Sequence, residues 1–567
     1  MFSGKIEEVG NPIVYIFLTL AISSIFYGIN SDFKELSIFI VGFFFIGIFY
    51  YCGIRFSSIM IIFFLVGFFI NVSYYKIPSS IDGEVRIVKI SYYDTIVDYK
   101  GKNLIIKTNL KNLKIGEKYE IIGEIEKIQD KNKGIVGELT TKGIVKTNGD
   151  FISKLYETKE KIFNLLKENL GRRKAGLISS IAFGYSDYLD EEDKEDMKNF
   201  GIIHSISVSG LHVVIIYGFL KKFMGDKLGL LATIIYVMFT GFNYSSIRAF
   251  IMLASVEGGR ILKRNNNSVS ALCLSAIILL IFKPYSIFEI SFDLSYLATL
   301  GIILFNKKIN YSLYKLPRKL RESLSITLSA QVFTLPYLIL IFRDFSINFI
   351  VGNLLLVPFI DIIVVSGNLL PLTYMYQPIF DFISYINLNI IKLFDWSLDK
   401  LNNFTLPMFY GNEYVVYFYL FLILSFYFVK KGYSKFIYLP GIFILVLLVQ
   451  LYSPILNIKY YKEGAILVTY RGERVLVSNK SGVDLKRLSK AAISNKYYKQ
   501  GKSIKVNGIC DIKAIGKDYM LDTYNEKYLL KMTNGENATK DYDIINFKDG
   551  KINRILIFRG KVFLTYI

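Results

Sequence analysis

Apolar runs close to the length of a bilayer crossing recur along this chain, and they confine it to a narrow set of folds. A helix needs about 20 mainly apolar residues to cross the hydrocarbon core, where every backbone N–H and C=O must be satisfied within the protein. Such runs fall at residues 12–29, 36–53, 56–72, 201–221, 228–242, 246–261, 267–283, 294–306, 322–342, 345–372, 413–430 and 436–453, with weaker ones at 174–184 and 378–396. With 52% hydrophobic residues and about 12–14 apolar segments, the chain reads as a polytopic α-helical membrane protein. The first run has no small-residue cleavage site and two further spans follow it at once, so a retained helix is expected there and not a signal peptide. Cys52, Cys273 and Cys510 are too scattered to draw a disulfide framework or a zinc site.

Two regions break the apolar pattern. After an N-terminal helical region (1–73), residues 74–152 alternate apolar and polar positions in short runs, EVRIVKI, NLIIKTNL, YEIIGEIEKI and GELTTKGIVKT, punctuated by Gly101, Gly116 and Gly134. This period-two pattern predicts about five strands, enough for a small barrel. Residues 454–567 contain similar strand-like runs, AILVTY, ERVLVS and ILIFRGKVFLTYI, and Val483–Tyr497 has a more helical pattern. The net charge of +21 is concentrated there, because residues 455–567 carry 22 basic and 11 acidic side chains, about +11 of the total. That balance suits a surface near anionic lipid or nucleic acid, and equally an ordinary solvated domain.

Residues 153–200 join the barrel region to the long apolar series at 201–453. In SKLYETKEKIFNLLKENL, Leu155, Ile162, Phe163, Leu166 and Leu170 share one helical face, which predicts an amphipathic helix lying at the membrane interface. The acidic cluster YLDEEDKEDMKN (188–199) is simplest as the cap and first turn of a short helix beginning near Asp190, with a cation site as the alternative.

The stretch Gly201–His212, GIIHSISVSGLH, holds both histidines of the chain inside an apolar run. Polar and ionisable groups at membrane depth mark functional or packing sites. Read as one helix, the segment places His204 and His212 roughly 80° apart around the axis. It also repeats Gly201, Ser205 and Ser209 every four residues, a stripe that permits close helix approach. His204, Ser207, Ser209, Gly210 and His212 are therefore candidates to line or gate a path, the alternative being a packing helix whose serines bond neighbouring backbone. Arg248 and Asp293 are charged positions in other apolar runs, either paired within the membrane or serving as a snorkelling side chain and a helix cap. Gln331 and Asn353 offer amides for hydrogen bonding between helices, and Pro336 and Pro358 are expected to kink or break theirs.

Five short elements, in order, carry a family likeness. They are His204–His212 with Val213, the Ser-Ile-Arg-Ala element Ser246–Ala249, SFDLSYLA at Ser291–Ala298, SAQVFTLP at Ser329–Pro336, and GNLLLVP at Gly352–Pro358. Together they resemble the competence domain of the ComEC family, inner-membrane channels for single-stranded DNA in natural transformation. The family usually has Gln in place of Asp293. The resemblance covers residues 1 to about 453 and implies an OB-like domain at 74–152. OB folds hold single strands with a basic groove and aromatic platforms. Tyr92, Tyr93, Tyr99, Tyr119, Lys100, Lys102, Lys107 and Lys111 are available for that, although tyrosine is common here (42 residues) and these positions also suit ordinary strands.

The C-terminal region departs from the likeness. Many members end in a metallo-β-lactamase-like nuclease domain, whose metal centre needs a His- and Asp-rich ligand set. No histidine follows His212, and the family's acidic motif is missing after the hairpin-like KYYKEGAILVTYRGERVLVS (459–478). Residues 454–567 thus read as a basic, degenerate remnant of that fold with neither metal nor cofactor. The implied function is import of single-stranded DNA across the cytoplasmic membrane without enzymatic activity. Membrane lipids, a separate cytoplasmic helicase or motor (the chain has no GxxxxGK[ST]) and an extracellular DNA receptor are the implied partners. The alternatives are a transporter or scaffold of the same fold that no longer moves DNA, and an intramembrane hydrolase using Ser209 with a histidine. With the N-terminus inside, three leading spans would put the barrel on the outer side, and family analogy puts the C-terminal domain there too.

Overall fold

A computed structural model describes residues 10–30, 33–91, 94–106, 113–206, 208–261, 267–461, 463–480, 482–499, 504–506, 510–515, 518–523, 526–532, 543–547, 552–558 and 561–566. The chain divides into two compact units, residues 1–334 with 347–406, and residues 335–346 with 407–567.

The first unit opens with α1 (Pro12–Ile29) and α2 (Lys34–Tyr75). The latter is two helices in line, broken at Gly53, whose φ of +77° is open to glycine and strained for other residues. That break falls between the apolar runs 36–53 and 56–72. Five strands follow: β1 (Ser80–Ile90), β2 (Thr95–Tyr99), β3 (Lys102–Ile106), β4 (Lys118–Glu126) and β5 (Ile135–Lys146). They close into a barrel of order β1-β2-β3-β5-β4. Alternate residues point inward, and Val85, Ile87, Val97, Leu104, Ile106, Ile121 and Val136 fill the interior. Tyrosines tie the barrel to the helices. Tyr74 at the end of α2 donates to Gly134 O (2.8 Å), and Asn103 Nδ2 donates to Tyr285 Oη (3.0 Å).

Next come α3 (Phe151–Leu170), α4 (Arg172–Phe183), α5 (Glu191–Asn199), α6 (Gly210–Phe239), α7 (Tyr244–Ile261), α8 (Ser268–Phe282), α9 (Ile290–Ser312) and α10 (Arg318–Phe342). Pro336 is accommodated inside α10, which runs on past it. The series α11 (Phe349–Val351), a π-helical turn (Gly352–Leu356), α12 (Val357–Gly367) and α13 (Leu370–Thr373) leads into α14 (Gln377–Asn402). Pro358 stands in the first turn of α12, where a missing N–H costs least. Residues from α3, α4, α6, α12 and α14 share the largest apolar core, including Ile162, Phe183, Val237, Ile360 and Phe394. The amphipathic face of α3 is therefore buried within the protein. Ile162, Phe163 and Leu166 on that face are at most 3% exposed, covered by other helices of the first unit.

In the second unit, β6 (Asp344–Phe345) pairs with β7 (Phe409–Tyr410), and α15 (Glu413–Lys430) and α16 (Leu439–Leu451) form a helical hairpin. The remaining strands are β8 (Leu456–Tyr461), β9 (Ala465–Tyr470), β10 (Glu473–Ser478), β11 (Lys496–Lys499), β12 (Ile504–Val506), β13 (Cys510–Ile515), β14 (Asp518–Asp522), β15 (Lys527–Lys531), β16 (Asp543–Asn546), β17 (Ile552–Phe558) and β18 (Lys561–Tyr566). They form a six-stranded sheet, β11-β10-β9-β8-β17-β18, and a five-stranded sheet, β12-β13-β14-β15-β16. One core lies between the sheets, with Ile458, Val468, Val477 and Ile555 from the first and Ile512, Tyr519 and Leu530 from the second. The helical pattern at 483–497 resolves into α17 (Leu485–Ala491) and then β11.

Among the described residues, six segments are long and apolar enough to cross a membrane: Pro12–Ile29, Lys34–Tyr75, Arg318–Phe342, Phe349–Thr373, Glu413–Lys430 and Ser434–Leu451. The protein is a membrane protein with a mixed helical and β architecture.

Candidate functional site: a buried polar junction at the start of α6

The segment Gly201–Ser209 is not helical, which corrects the reading of one helix carrying both histidines. Gly201 has φ +66°, Ile203–Ser205 make a single 3-10 turn, and α6 begins only at Gly210. The cause is local and steric. A Cβ on Gly201 would sit 2.6 Å from Phe349 Cβ, and one on Gly352 would sit 2.3 Å from Phe200 O. The loop is thus pressed against the start of the span Phe349–Thr373. Asn348 clamps it further, donating from Nδ2 to Asn199 O (3.1 Å) and Leu406 O (2.9 Å) while its Oδ1 accepts from Leu406 N–H.

Buried backbone outside a helix must find its hydrogen-bond partners within the protein or in water. Serines supply much of what this loop needs. Ser180 Oγ of α4 donates to Ile206 O (3.3 Å), and Ser246 Oγ of α7 donates to Val208 O (3.4 Å). Ser209 is the N-cap of α6, and its N–H donates to His212 Nδ1 (3.3 Å). The Ser209 side chain in turn accepts from the His212 backbone, so His212 stands where a capping box usually has Glu or Gln. His212 is 1% exposed, whereas the His204 side chain lies on the protein surface. The two histidines therefore differ in environment, and Ser209 Oγ meets the His212 backbone and not its imidazole.

At Gly210, α6 lies against the Arg248 side chain of α7. A Cβ there would lie 2.6 Å from Arg248 Nη2 and 3.4 Å from Ala249 Cβ. The Arg248 guanidinium consequently lies against the first turn of α6. Its Nε donates to Ser295 Oγ (2.8 Å) on α9, and Ser245 Oγ donates to the same atom (3.0 Å). Arg248 thus engages Ser295. Asp293 lies in the first turn of α9, where the helix dipole favours a carboxylate. Gln331 Oε1 accepts from Thr334 Oγ1 (3.0 Å) one turn along α10, within its own helix, and Asn353 stands in the π-helical turn.

The barrel residues are placed differently. Tyr99 is 9% exposed and closes the barrel interior. Lys100 Nζ lies over its ring at 5.1 Å, and Lys102 Nζ donates to the Ser73 and Lys76 carbonyls at the end of α2. Tyr119 is buried and donates to Glu117. Ser207, Tyr92, Tyr93, Lys107 and Lys111 lie outside the described residues.

Lys159 and Asp361 are ionisable groups that the sequence reading did not single out. Lys159 on α3 is 2% exposed, with its ammonium 4.7 Å from the Tyr156 ring and 5.4 Å from the Phe239 ring. Burial pulls its pKa down to about 7. Its position on the apolar side of α3, three residues before Ile162, was the available signal. Asp361 stands midway along the span Phe349–Thr373, and its Oδ1 is buried with no hydrogen-bond partner. The only sequence signal was a lone carboxylate in the run 345–372.

Residues 181–431 match the family model described as Competence protein, a span that contains the whole junction from Ser209 to Ser295. The chain carries a competence-protein domain over residues 181–431. The chain is 29% identical over 227 residues to ComE operon protein 3 of Bacillus subtilis, covering 38% of this chain and 29% of that protein. It is 25% identical over 258 residues to Recombination protein 2 of Haemophilus influenzae, covering 41% of this chain and 32% of the relative. Each match thus spans less than a third of the relative's length. No solved structure matches significantly.

Proposed function

We propose that this chain is a multi-pass cytoplasmic-membrane channel that imports single-stranded DNA during natural transformation. The observation that carries the reading is the coincidence of the competence-family match at 181–431 with a buried loop before α6 whose carbonyls are held by serines. A polyanion crosses hydrocarbon only along a protein-lined aqueous path. A loop held by serines and flanked by the Arg248 guanidinium offers donors suited to phosphates. The barrel order β1-β2-β3-β5-β4 is compatible with an OB-like single-strand binder on the outer side, with the exposed Lys100 as a contact. The chain carries no GxxxxGK[ST], so a separate motor does the pulling. We assign no catalytic role. Residues 213–567 contain no histidine for a nuclease metal centre, and Ser209 serves α6 as a cap.

The test is rescue of transformation in a competent host lacking its own channel. The intact chain should restore uptake, and Arg248→Gln should abolish it at normal expression. If the intact chain inserts correctly and gives no rescue with its cognate motor supplied, the proposal fails.

A further inference from the structure

The second unit contains a polar cavity of about 20 Å³ that the competence reading leaves unused. It lies on the face of the six-stranded sheet opposite the sandwich core. Strand register puts Arg474, Thr469 and Asn457 side by side across β10, β9 and β8, and Lys459 opposite Arg554 in the next row across β8 and β17. The cavity is closed by Glu413 at the start of α15 and Gln450 near the end of α16. Both helices of this hairpin belong to segments long and apolar enough to cross a membrane, and the cavity stands at their open end.

Its charges do not balance. Glu413 is already engaged by Lys459, and neither Arg474 nor Arg554 meets a carboxylate among the described residues. Three cations against one anion leave two positive charges in excess. Arg474 is only 7% exposed, and its Nε has no hydrogen-bond partner. Asn457 Oδ1, also in the cavity, is likewise buried without a partner. Turning that amide would present its NH₂ to the same point as the guanidinium. A buried, uncompensated guanidinium is costly, and a neutral water would satisfy its hydrogen without balancing its charge. The space takes one oxygen-sized group, so an oxyanion enters by a single oxygen with its remainder at the mouth.

We propose that Arg474, Arg554 and Asn457 form a binding site for a phosphate oxyanion, supplied by the headgroup of an anionic phospholipid. Arginine suits it because the guanidinium stays charged when buried and presents several N–H donors in one fixed plane. The site is independent of whether the chain moves DNA.

The test is native mass spectrometry of the full-length chain released from vesicles of phosphatidylglycerol or phosphatidylcholine, with thermal unfolding in inorganic phosphate as a second readout. The chain should retain phosphatidylglycerol over phosphatidylcholine, and R474Q/R554Q should lower that retention by ~10-fold. R554K keeps the charge but loses the fork and should fall between. R554Q alone serves if the double variant does not fold. Stabilisation by inorganic phosphate in the wild type alone, without lipid retention, would keep the oxyanion site and make free phosphate its source. Equal retention of both lipids by wild type and variants, with no response to phosphate, overturns the proposal. Displacement of the lipid by a single-stranded oligonucleotide through the same arginines would give the site to nucleic acid and also overturn it.

Discussion

Single residues at the junction act through close approach. Gly210 is required because α7 brings Arg248 to 2.6 Å of where a Cβ would stand. Gly210→Ala should destabilise the protein by about 1–3 kcal/mol, the usual cost of overpacking. Gly218→Ala, eight residues along the same helix and facing open space, should instead stabilise the protein slightly, by up to about 1 kcal/mol, read by thermal unfolding in detergent. Lys159 supports a second prediction. Its pKa falls to about 7 in the folded protein, against about 10.4 in an unfolded chain. Between those values the unfolded state binds more protons, so stability rises with pH across this window. Lys159→Met should therefore stabilise the protein near pH 7 by about 3–5 kcal/mol, at about 1.4 kcal/mol per pKa unit. The advantage should shrink toward pH 10. A Lys159→Met melting difference that stays constant from pH 7 to pH 10 would show that the amine is solvated. Neither residue's role was legible beforehand, because a charge buried by aromatic rings from α3 and α6 depends on contacts far apart in sequence.

At the scale of elements, hydropathy marked the helices well and their breaks poorly. The run 12–29 coincides with α1, and the runs 413–430 and 246–261 agree closely with α15 and α7. The period-two pattern at 74–152 became a five-stranded barrel because alternation alone tells a strand which face to bury. The loop Gly201–Ser209 was hidden because its residues are as apolar as a helix requires. What interrupts it is Phe349 and Gly352 from a segment nearly 150 positions away. The Ser-Gly-Leu-His sequence nevertheless contained the answer in another form, since Ser209 followed three residues later by a hydrogen-bonding side chain is a helix start. This distinguishes two roles for His212. If its imidazole serves to cap α6, His212→Gln preserves the capping box and should retain uptake, whereas His212→Ala should cost about 1 kcal/mol of stability. Equal loss of uptake in both variants, at equal stability, would show that the imidazole itself is used.

At the scale of the whole molecule, the boundary suggested by composition and the boundary set by packing differ. Composition separates an apolar series ending near residue 453 from a basic tail. Packing assigns the hairpin α15/α16 and the segment 335–346 to the same unit as the two sheets. Within that unit Glu413 pairs with Lys459, Asp344 with Arg487 (2.6 Å) and Arg343 with Glu463 (2.8 Å). A cut after residue 453 removes the basic partner or acidic partner of all three and uncovers the end of the hairpin that the sheet occupied. A cut after residue 406 removes the hairpin as well and leaves the first unit's core of α3, α4, α6, α12 and α14 complete. The shorter chain should therefore be the better behaved: residues 1–406 should elute as a single species in detergent, and residues 1–453 should aggregate or melt earlier. The reverse order, with 1–453 the more stable, would mean that the hairpin belongs with the first unit and that the sheets are an appendage.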